Sequence, residues 1–139
     1  MAIIGAYDSQ KQRDILASAK VIAVVGYSDD PRRTSNQIGR YLKNAGYKVY
    51  AVNPTVEQVD GEKSYPTLAY VPEPIDIVNV FRRSEYLSGV VDDAIGVGAK
   101  VVWAQLGISD QEAARKAEAA GIDIIMNNCI KVTYGSLMR

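Results

Sequence analysis

The residues that could do chemistry gather first in one loop, Gly26 to Ser35, which follows the apolar run Val21–Val25. The run is rich in β-branched residues and predicts a buried strand that ends at Gly26. Thr34-Ser35-Asn36 then opens an amphipathic segment that predicts a helix with good N-capping residues. A helix N-terminus presents free N–H groups and the positive end of the helix dipole, which together favour a phosphate. We therefore predict that this loop holds the phosphates of a nucleotide-like ligand; the alternative is an ordinary strand-to-helix loop.

Two arginines and a missing glycine decide which ligand would suit the loop. The common dinucleotide motif is G-x-G-x-x-G, but only its first glycine, Gly26, is present, and Ser28 stands at the second position. An acidic residue after the second strand would bind the ribose of NAD, whereas Asn53-Pro54 occupies that place. Both departures argue against NAD. Arg32 and Arg33 favour a ligand with additional phosphate, such as NADP or coenzyme A.

Other polar and aromatic residues follow the later predicted strands, and parallel strands bring their carboxyl ends to one edge. Phe81 and Arg82 could stack on an adenine or grip a phosphate; equally, Phe81 could plug the core beside solvated arginines. Gln105 and Gly107 could line the same site. Cys129 has no histidine to activate it, which favours a buried or merely nearby thiol.

Composition excludes several classes of chemistry. The 139 residues include no histidine and one cysteine, which rules out Ser–His and Cys–His dyads, histidine metal ligands, a thiolate zinc site and an internal disulfide. The 16 basic and 16 acidic residues give a net charge of zero, which argues against general nucleic-acid or membrane-surface binding. No apolar run approaches the roughly 20 residues of a membrane span, and the first 20 residues lack signal-peptide features. We expect a cytoplasmic protein.

Short apolar strands alternate with amphipathic helices along the chain, a pattern typical of a parallel sheet covered on both faces. The predicted strands are Val21–Val25, Tyr47–Val52, Ile75–Val80, Lys100–Gln105 and Ile122–Met126. We predict one α/β domain, residues 1–139, with a Rossmann-like, doubly wound, five-stranded parallel sheet in the order 3-2-1-4-5. Residues 1–20 are expected to form a helical lead-in, and Thr55–Lys63 a polar excursion with a turn at Gly61.

With these residues in view, the chain resembles the small CoA-binding proteins, which are similar to the N-terminal, Rossmann-like domain of the succinyl-CoA synthetase alpha subunit. The resemblance extends from about Val21 to Val132, and five motifs occur in the family's order. The matching segments are Val24–Ser28 with Arg32-Arg33, Val52–Pro54, Asp76–Arg83, Val102–Ile108 and Asn128-Cys129.

The resemblance implies that coenzyme A or an acyl-CoA is the ligand, with its phosphates at the Gly26–Ser35 loop, its adenosine beside Asn53-Pro54 and its thiol end toward Gln105. A basic residue beyond the second strand helps to hold the nucleotide in the synthetases, and Lys63 is the candidate here. The full set of implied ligand contacts is Gly26, Tyr27, Ser28, Arg33, Thr34, Ser35, Asn53, Pro54, Phe81, Arg82, Gln105, Gly107 and Asn128.

The resemblance does not extend to catalysis. The synthetases carry a second domain with a phosphorylated histidine, and this chain has no histidine. We therefore expect a stand-alone, non-catalytic or regulatory binding module. Two alternatives stay open: an NADP-dependent oxidoreductase with Tyr27 or a lysine as proton donor, and an interaction subunit of a larger acyl-CoA enzyme. The other partner that we consider is a second copy of this chain, in a homodimer.

Overall fold

The computed structural model describes residues 8–138, so the first seven residues of the expected lead-in lie outside it. Five helices and a short 3₁₀ turn accompany the strands in this range. The helices are α1 Ser9–Ser18, α2 Thr34–Asn44, α3 Ser84–Gly96, α4 Gln111–Ala120 and α5 Ile130–Leu137, and the 3₁₀ turn is Leu68–Tyr70. The strands are β1 Val21–Val25, β2 Lys48–Val52, β3 Gln58–Val59, β4 Glu62–Tyr65, β5 Ile77–Val80, β6 Val101–Ala104 and β7 Asp123–Ile125.

These strands form one mainly parallel sheet, which confirms the α/β, Rossmann-like architecture. The prediction of five strands is wrong, because the sheet has seven. The two additional strands, β3 and β4, form an antiparallel hairpin inside the expected polar excursion. Its two-residue turn is Asp60-Gly61, with φ angles of 51° and 79°, as a tight hairpin turn requires. The strands are short and carry polar residues, so apolar patterning did not reveal them.

The predicted strand order is also wrong. The sheet runs β3-β4-β2-β1-β5-β6-β7, so the five anticipated strands lie in the order 2-1-3-4-5. The place beside β2 that the third strand was expected to fill belongs to β4, which pairs with β2 in parallel. β5 instead pairs with the opposite side of β1, Ile22 facing Ile77. The strand order therefore reverses at β1, and the crevice at the carboxyl ends of β1 and β5 is where doubly wound sheets bind ligands.

Alternation along each strand builds a hydrophobic core on both faces of the sheet. Ala23, Val78 and Val102 point to the face covered by α3 and α4. Ile22, Ile77 and Trp103 point to the opposite face, where α1, α2 and α5 pack. The helices thus cover both faces of the sheet. The loops at the carboxyl ends of the strands lie outside this core, where they can form a site.

Candidate functional site

The cavity at the carboxyl edge of the sheet lies at the reversal point between β1 and β5, and its volume is about 670 Å³. Ligand pockets typically enclose about 300–1,000 Å³ and are mostly apolar with a few polar groups. This cavity fits that description, since Arg82 and Asp93 are the charged residues among its mainly apolar lining. The lining consists of Val25, Gly26, Val52, Asn53, Pro54, Thr55, Pro66, Thr67, Leu68, Phe81, Arg82, Val90 and Asp93.

Gly26 is the point where the loop after β1 meets this cavity. Its φ is +88°, a conformation that favours glycine, and a Cβ there would lie 3.4 Å from the backbone and Cβ of Phe81. The N–H of Gly26 donates to the carbonyl of Val52 at 2.9 Å, and that of Phe81 donates to the carbonyl of Val25 at 2.9 Å. The ends of β1, β2 and β5 are therefore held together tightly at the cavity floor.

A second cavity, of about 530 Å³, adjoins the first across Asn53, Pro54 and Pro66, which line both. The remaining lining of this second cavity comes from the chain leading into and out of the β3–β4 hairpin: Val56, Glu57, Gln58, Lys63 and Ser64. Lys63 thus stands beside the second cavity, with its Nζ 5.3 Å from the centre of the Tyr65 ring. Together the two cavities offer an elongated molecule a continuous path over Asn53-Pro54.

Asn53 owes its fixed position to a set of hydrogen bonds. Its Nδ2 donates to the carbonyl of Tyr27 at 3.0 Å, and its Oδ1 accepts from the N–H and the hydroxyl of Thr55 at 3.0 and 2.7 Å. Its own N–H donates to the carbonyl of Tyr65 at 2.9 Å. Asn53 therefore joins the loop after β1 to the strands that carry the second cavity.

The loop between β1 and α2 separates its two arginines. Arg32 makes a bidentate pair with Asp30, at 3.1 Å from Nε to Oδ1 and 3.0 Å from Nη2 to Oδ2, and this pairing lowers the pKa of Asp30. The guanidinium of Arg33 is exposed and makes no hydrogen bond or ion pair with the residues between 8 and 138. Of the two, Arg33 is the one whose charge is available to an anion.

In the part of the chain that the structure describes, no side chain caps the N-terminus of α2. The capping position is held by Arg33, so the prediction of Thr34, Ser35 or Asn36 as the N-cap is wrong. Ser35 instead lies in the first turn, where its Oγ accepts from the N–H of Ser28 at 3.0 Å. The Oγ of Ser28 in turn accepts from the N–H of Asp30 at 3.0 Å. The two serines shape the loop, and no side chain between residues 8 and 138 occupies the N–H groups at the start of α2.

Tyr27 lies in the same loop but its side chain is buried beneath α2. Its hydroxyl donates to Oδ2 of Asp60 at 3.1 Å, and burial raises the pKa of that hydroxyl. The Nζ of Lys43 lies 5.4 Å from the ring centre. The side chain of Tyr27 therefore lies outside the cavity lining, although its backbone belongs to the loop that begins at Gly26.

The expected residues at the far side of the site come from the end of β5 and the start of α3. Phe81 and Arg82 both line the first cavity. The guanidinium of Arg82 stacks over Tyr86, 4.4 Å from its ring centre, and Arg83 approaches the same ring at 5.5 Å. Arg83 is further paired with Glu85 at 3.1 Å. This side of the cavity thus combines the aromatic ring of Phe81 with the guanidinium of Arg82, which is oriented by stacking on Tyr86.

Gln105, Gly107 and Asn128 gather at the ends of β6 and β7, outside the lining of both cavities. The buried Gln105 accepts through Oε1 from the N–H of Ile130 at 3.0 Å. The N–H of Gly107 donates to Oδ1 of Asn127 at 2.7 Å. Asn128 accepts through Oδ1 from Thr133 at 2.6 Å and through its carbonyl from the indole of Trp103 at 3.1 Å. These contacts brace the edge of the sheet, and their assignment to the thiol end of a ligand stays a prediction.

The cavity lining includes residues that sequence reasoning missed. Pro66, Thr67 and Leu68 close one side because β4 ends there, and β4 was not anticipated. Val90 and Asp93 face the cavity from α3. The Asp60-Gly61 dipeptide was the available signal, since it marks a hairpin whose second strand must end near Pro66.

Within residues 8–138, no helix is long and apolar enough to cross a membrane. The same range contains no cluster of three or more cysteine, aspartate or glutamate residues arranged to hold a metal ion. Cys129 is a free, half-buried thiol at the start of α5.

Comparison with known proteins gives this geometry its context. A family model described as "CoA binding domain" matches residues 20–135. The uncharacterized protein YneT of Bacillus subtilis is 44% identical over 122 residues, covering 88% of this chain and 90% of that protein. A solved structure of a hypothetical protein from Pyrococcus horikoshii superposes with a TM-score of 0.94 at 37% identity, covering 100% of this chain and 98% of the other.

A larger relative is an enzyme. The ADP-forming acetate–CoA ligase I of Archaeoglobus fulgidus is 26% identical over 121 residues. The alignment covers 80% of this chain but only 18% of the ligase, so the chain corresponds to a small part of that enzyme.

Proposed function

Because this chain belongs to the CoA-binding domain family, we propose that it binds coenzyme A or an acyl-CoA in the two adjoining cavities, as a non-catalytic or regulatory module. The observation that carries the proposal is the location of the first cavity. It opens at the strand-order reversal between β1 and β5, where doubly wound sheets bind nucleotides. The loop that begins at Gly26 leads to the N-terminus of α2, where, among residues 8–138, no side chain caps the helix and Arg33 makes no ion pair. Gly26 lines the first cavity, whereas Arg33, Thr34 and Ser35 lie outside the lining of both cavities.

In this proposal the phosphates lie at the loop between β1 and α2. Gly26 lets the backbone approach closely, the N-terminal turn with Thr34 and Ser35 supplies N–H groups, and Arg33 supplies positive charge. Asn53 and Pro54 flank the adenosine where the two cavities meet, with Lys63 beside the second cavity. Phe81 and Arg82 offer a π face and a cation at the opposite wall.

Two features argue against the oxidoreductase alternative. The hydroxyl of Tyr27, one of the candidate proton donors beside a lysine, is hydrogen-bonded to Asp60, and the buried Tyr27 does not line the first cavity. Among residues 8–138, the charged residues that line the first cavity are Arg82 and Asp93, so the first cavity has no lysine donor, whereas Lys63 lines the second cavity. The similarity to part of an acetate–CoA ligase supports the other alternative, association with a larger acyl-CoA enzyme, in addition to ligand binding.

Calorimetric titration of the purified protein tests the proposal. The protein is first stripped of bound ligand and then titrated separately with CoA, acetyl-CoA and NADPH. Micromolar or tighter binding of CoA or acetyl-CoA is expected, and a difference between the two reports the acyl preference. Binding of NADPH without CoA would overturn the proposal in favour of the oxidoreductase. No heat with any of the three would leave the interaction subunit, which co-purification of a partner enzyme would then test.

A further inference from the structure

Asp60 lies in a hairpin turn but accepts hydrogen bonds from residues that are distant in the sequence. Its carboxylate accepts from the hydroxyl of Tyr27 at 3.1 Å, from Nδ2 of Asn36 at 3.3 Å, and from Nη2 of Arg40 at 3.1 Å. The side chain is only 17% exposed. Hydrogen bonding to Arg40 lowers the pKa of the carboxyl group, which therefore stays ionised at neutral pH. One partly shielded carboxylate thus joins the β3–β4 hairpin to α2 and to the loop after β1.

Two of these donors also hold the loop in which the phosphates are proposed to bind. Tyr27 is the residue between Gly26 and Ser28, and its carbonyl accepts from Asn53 at 3.0 Å. Asn36 is fully buried, and its Nδ2 donates to the carbonyl of Ser28 at 2.9 Å as well as to Asp60. Displacing Asp60 would therefore remove the hydrogen-bond acceptor of the Tyr27 hydroxyl and one of the two acceptors of Asn36. Both changes act on the main chain from Gly26 to Ser28.

We infer that Asp60, which lines neither the first nor the second cavity, is a positioning residue for the ligand. It holds the loop after β1 in line with Asn53-Pro54, so that the phosphate end and the adenosine end of the proposed ligand can be bound together. This inference rests on the proposed function for the identity of the ligand. The hold on the loop itself is a property of the ligand-free protein and can be measured without CoA.

The chain offers matched variants for the test. Asp60→Asn keeps the shape of the side chain, and asparagine tolerates the φ of 51° found at this position. Tyr27→Phe removes only the hydroxyl that reaches Asp60. Glu62→Gln is the control, because Glu62 lies just across Gly61 and pairs with Lys43 of α2 at 2.7 Å. Lys43 lies 5.4 Å from the ring centre of Tyr27, but within residues 8–138 Glu62 itself makes no hydrogen bond to Tyr27 or Asn36. It removes one negative charge from the same hairpin.

The first measurement is amide hydrogen exchange of Ser28 and Asp30 by NMR in the ligand-free protein, well below the unfolding temperature of every variant. We expect exchange about tenfold faster in Asp60→Asn, a smaller increase in Tyr27→Phe, and no change in Glu62→Gln, on the scale of one lost hydrogen bond to a charged group. Unchanged exchange in Asp60→Asn, or an equal increase in Glu62→Gln, would overturn the inference whatever the result with CoA.

The second measurement is the Kd for CoA of the same variants, at low and high salt. We expect Asp60→Asn to weaken binding about tenfold and to flatten its salt dependence, because the displaced loop no longer presents Arg33 to the phosphates. A purely structural role would lower the unfolding temperature but leave the Kd and its salt dependence intact, and that result would overturn the inference. If the wild type does not bind CoA, the proposed function fails, and faster exchange in Asp60→Asn still establishes the hold of Asp60 on the loop.

Discussion

The aromatic ring of Tyr27 lies directly on the backbone of Gly39. A Cβ built on Gly39 would stand 2.3 Å from Cε2 and Cζ of the fully buried tyrosine. Gly39→Ala therefore gains about 1 kcal/mol of helix propensity but forces the ring to move, and overpacking commonly costs about 1–3 kcal/mol or more. The difference is an expected net loss of up to about 2 kcal/mol in the free energy of unfolding, measured by urea denaturation.

Gly89→Ala is the matched control for this substitution. Gly89 also lies inside a helix, α3, and a Cβ there would meet no atom within 4 Å. It should raise the free energy of unfolding by up to about 1 kcal/mol, the helix-propensity gain alone. Equal stability changes in the two variants would show that Tyr27 does not require the glycine.

Arg33, which makes no ion pair with residues 8–138, predicts that the affinity for CoA depends on salt concentration. Arg33→Ala should weaken CoA binding about fivefold in about 50 mM salt and less than about twofold in about 0.5 M salt, because an exposed charge acting on a phosphate is screened. Arg115→Ala removes the same charge from α4, where Arg115 pairs with Glu112, and should leave the Kd unchanged. An Arg33→Ala protein that binds CoA as tightly as the wild type at low salt would refute the phosphate-loop assignment.

Blocking the first cavity should prevent binding without unfolding the protein. Thr67 is exposed at the cavity rim, so the indole of Thr67→Trp has room to occupy the space that the ligand needs. We expect CoA affinity to fall more than tenfold, with the free energy of unfolding within about 0.5 kcal/mol of the wild type. Ala69→Trp places the same side chain on the same 3₁₀ turn but outside the lining. Wild-type affinity in Thr67→Trp would exclude this cavity as the binding site.

Asp76 lies at the amino ends of the strands, opposite the cavities, and predicts how the stability of the protein depends on acidic pH. Burial opposes ionisation of its carboxyl group, but the N–H groups of Val21 and Lys20, at 2.9 and 2.8 Å, and the ammonium of Lys100 outweigh burial and lower its pKa. Asp76→Ala should reduce the free energy of unfolding at pH 7 by about 1–3 kcal/mol, since it leaves the N–H of Val21 unpaired. Lys100→Ala removes one ion pair, whose ammonium is largely exposed, and should cost less than about 1 kcal/mol.

The sign of the pH dependence follows from the lowered pKa. The contribution of ionised Asp76 is fully present above its unfolded pKa of about 3.8, and it is lost as pH falls through the still lower pKa of the folded state. The stability difference between the wild type and Asp76→Ala should therefore be constant above about pH 5 and shrink below about pH 4. Urea denaturation across this range checks the trend, and a difference that grows on acidification would contradict it.

Sequence patterning was sufficient for the five strands that form the core. Each is a short apolar run between turn residues, and β1, β2, β5, β6 and β7 all lie within one or two residues of the expected bounds. It was insufficient for β3 and β4, whose residues are mostly polar because the hairpin packs one buried side chain per strand, Val59 and Ser64. The strand order could not be deduced either, because it depends on which neighbour takes the place beside β2.

The sequence predicted the location of the candidate site better than it predicted the contacts between its residues. Gly26, Asn53, Pro54, Phe81 and Arg82 do meet at one cavity. The spacing of residues could not show that Arg32 would be paired with Asp30, or that the side chain of Tyr27 would turn inward to a carboxylate 33 residues away. Such pairings depend on tertiary packing, and the hairpin that supplies Asp60 had not been predicted.

The position of the β3–β4 hairpin also determines what the sheet exposes at its borders. Without the hairpin, the five-residue, largely apolar β2 would be an outer strand with a row of unpaired backbone groups. With it, the outer strands are the two-residue β3 and the three-residue β7, the shortest in the sheet. Long, flat outer strands are templates for pairing with other chains, whereas very short ones are not. The hairpin that lines the second cavity therefore also covers the end of β2, at Ala51 and Val52, against pairing with another chain.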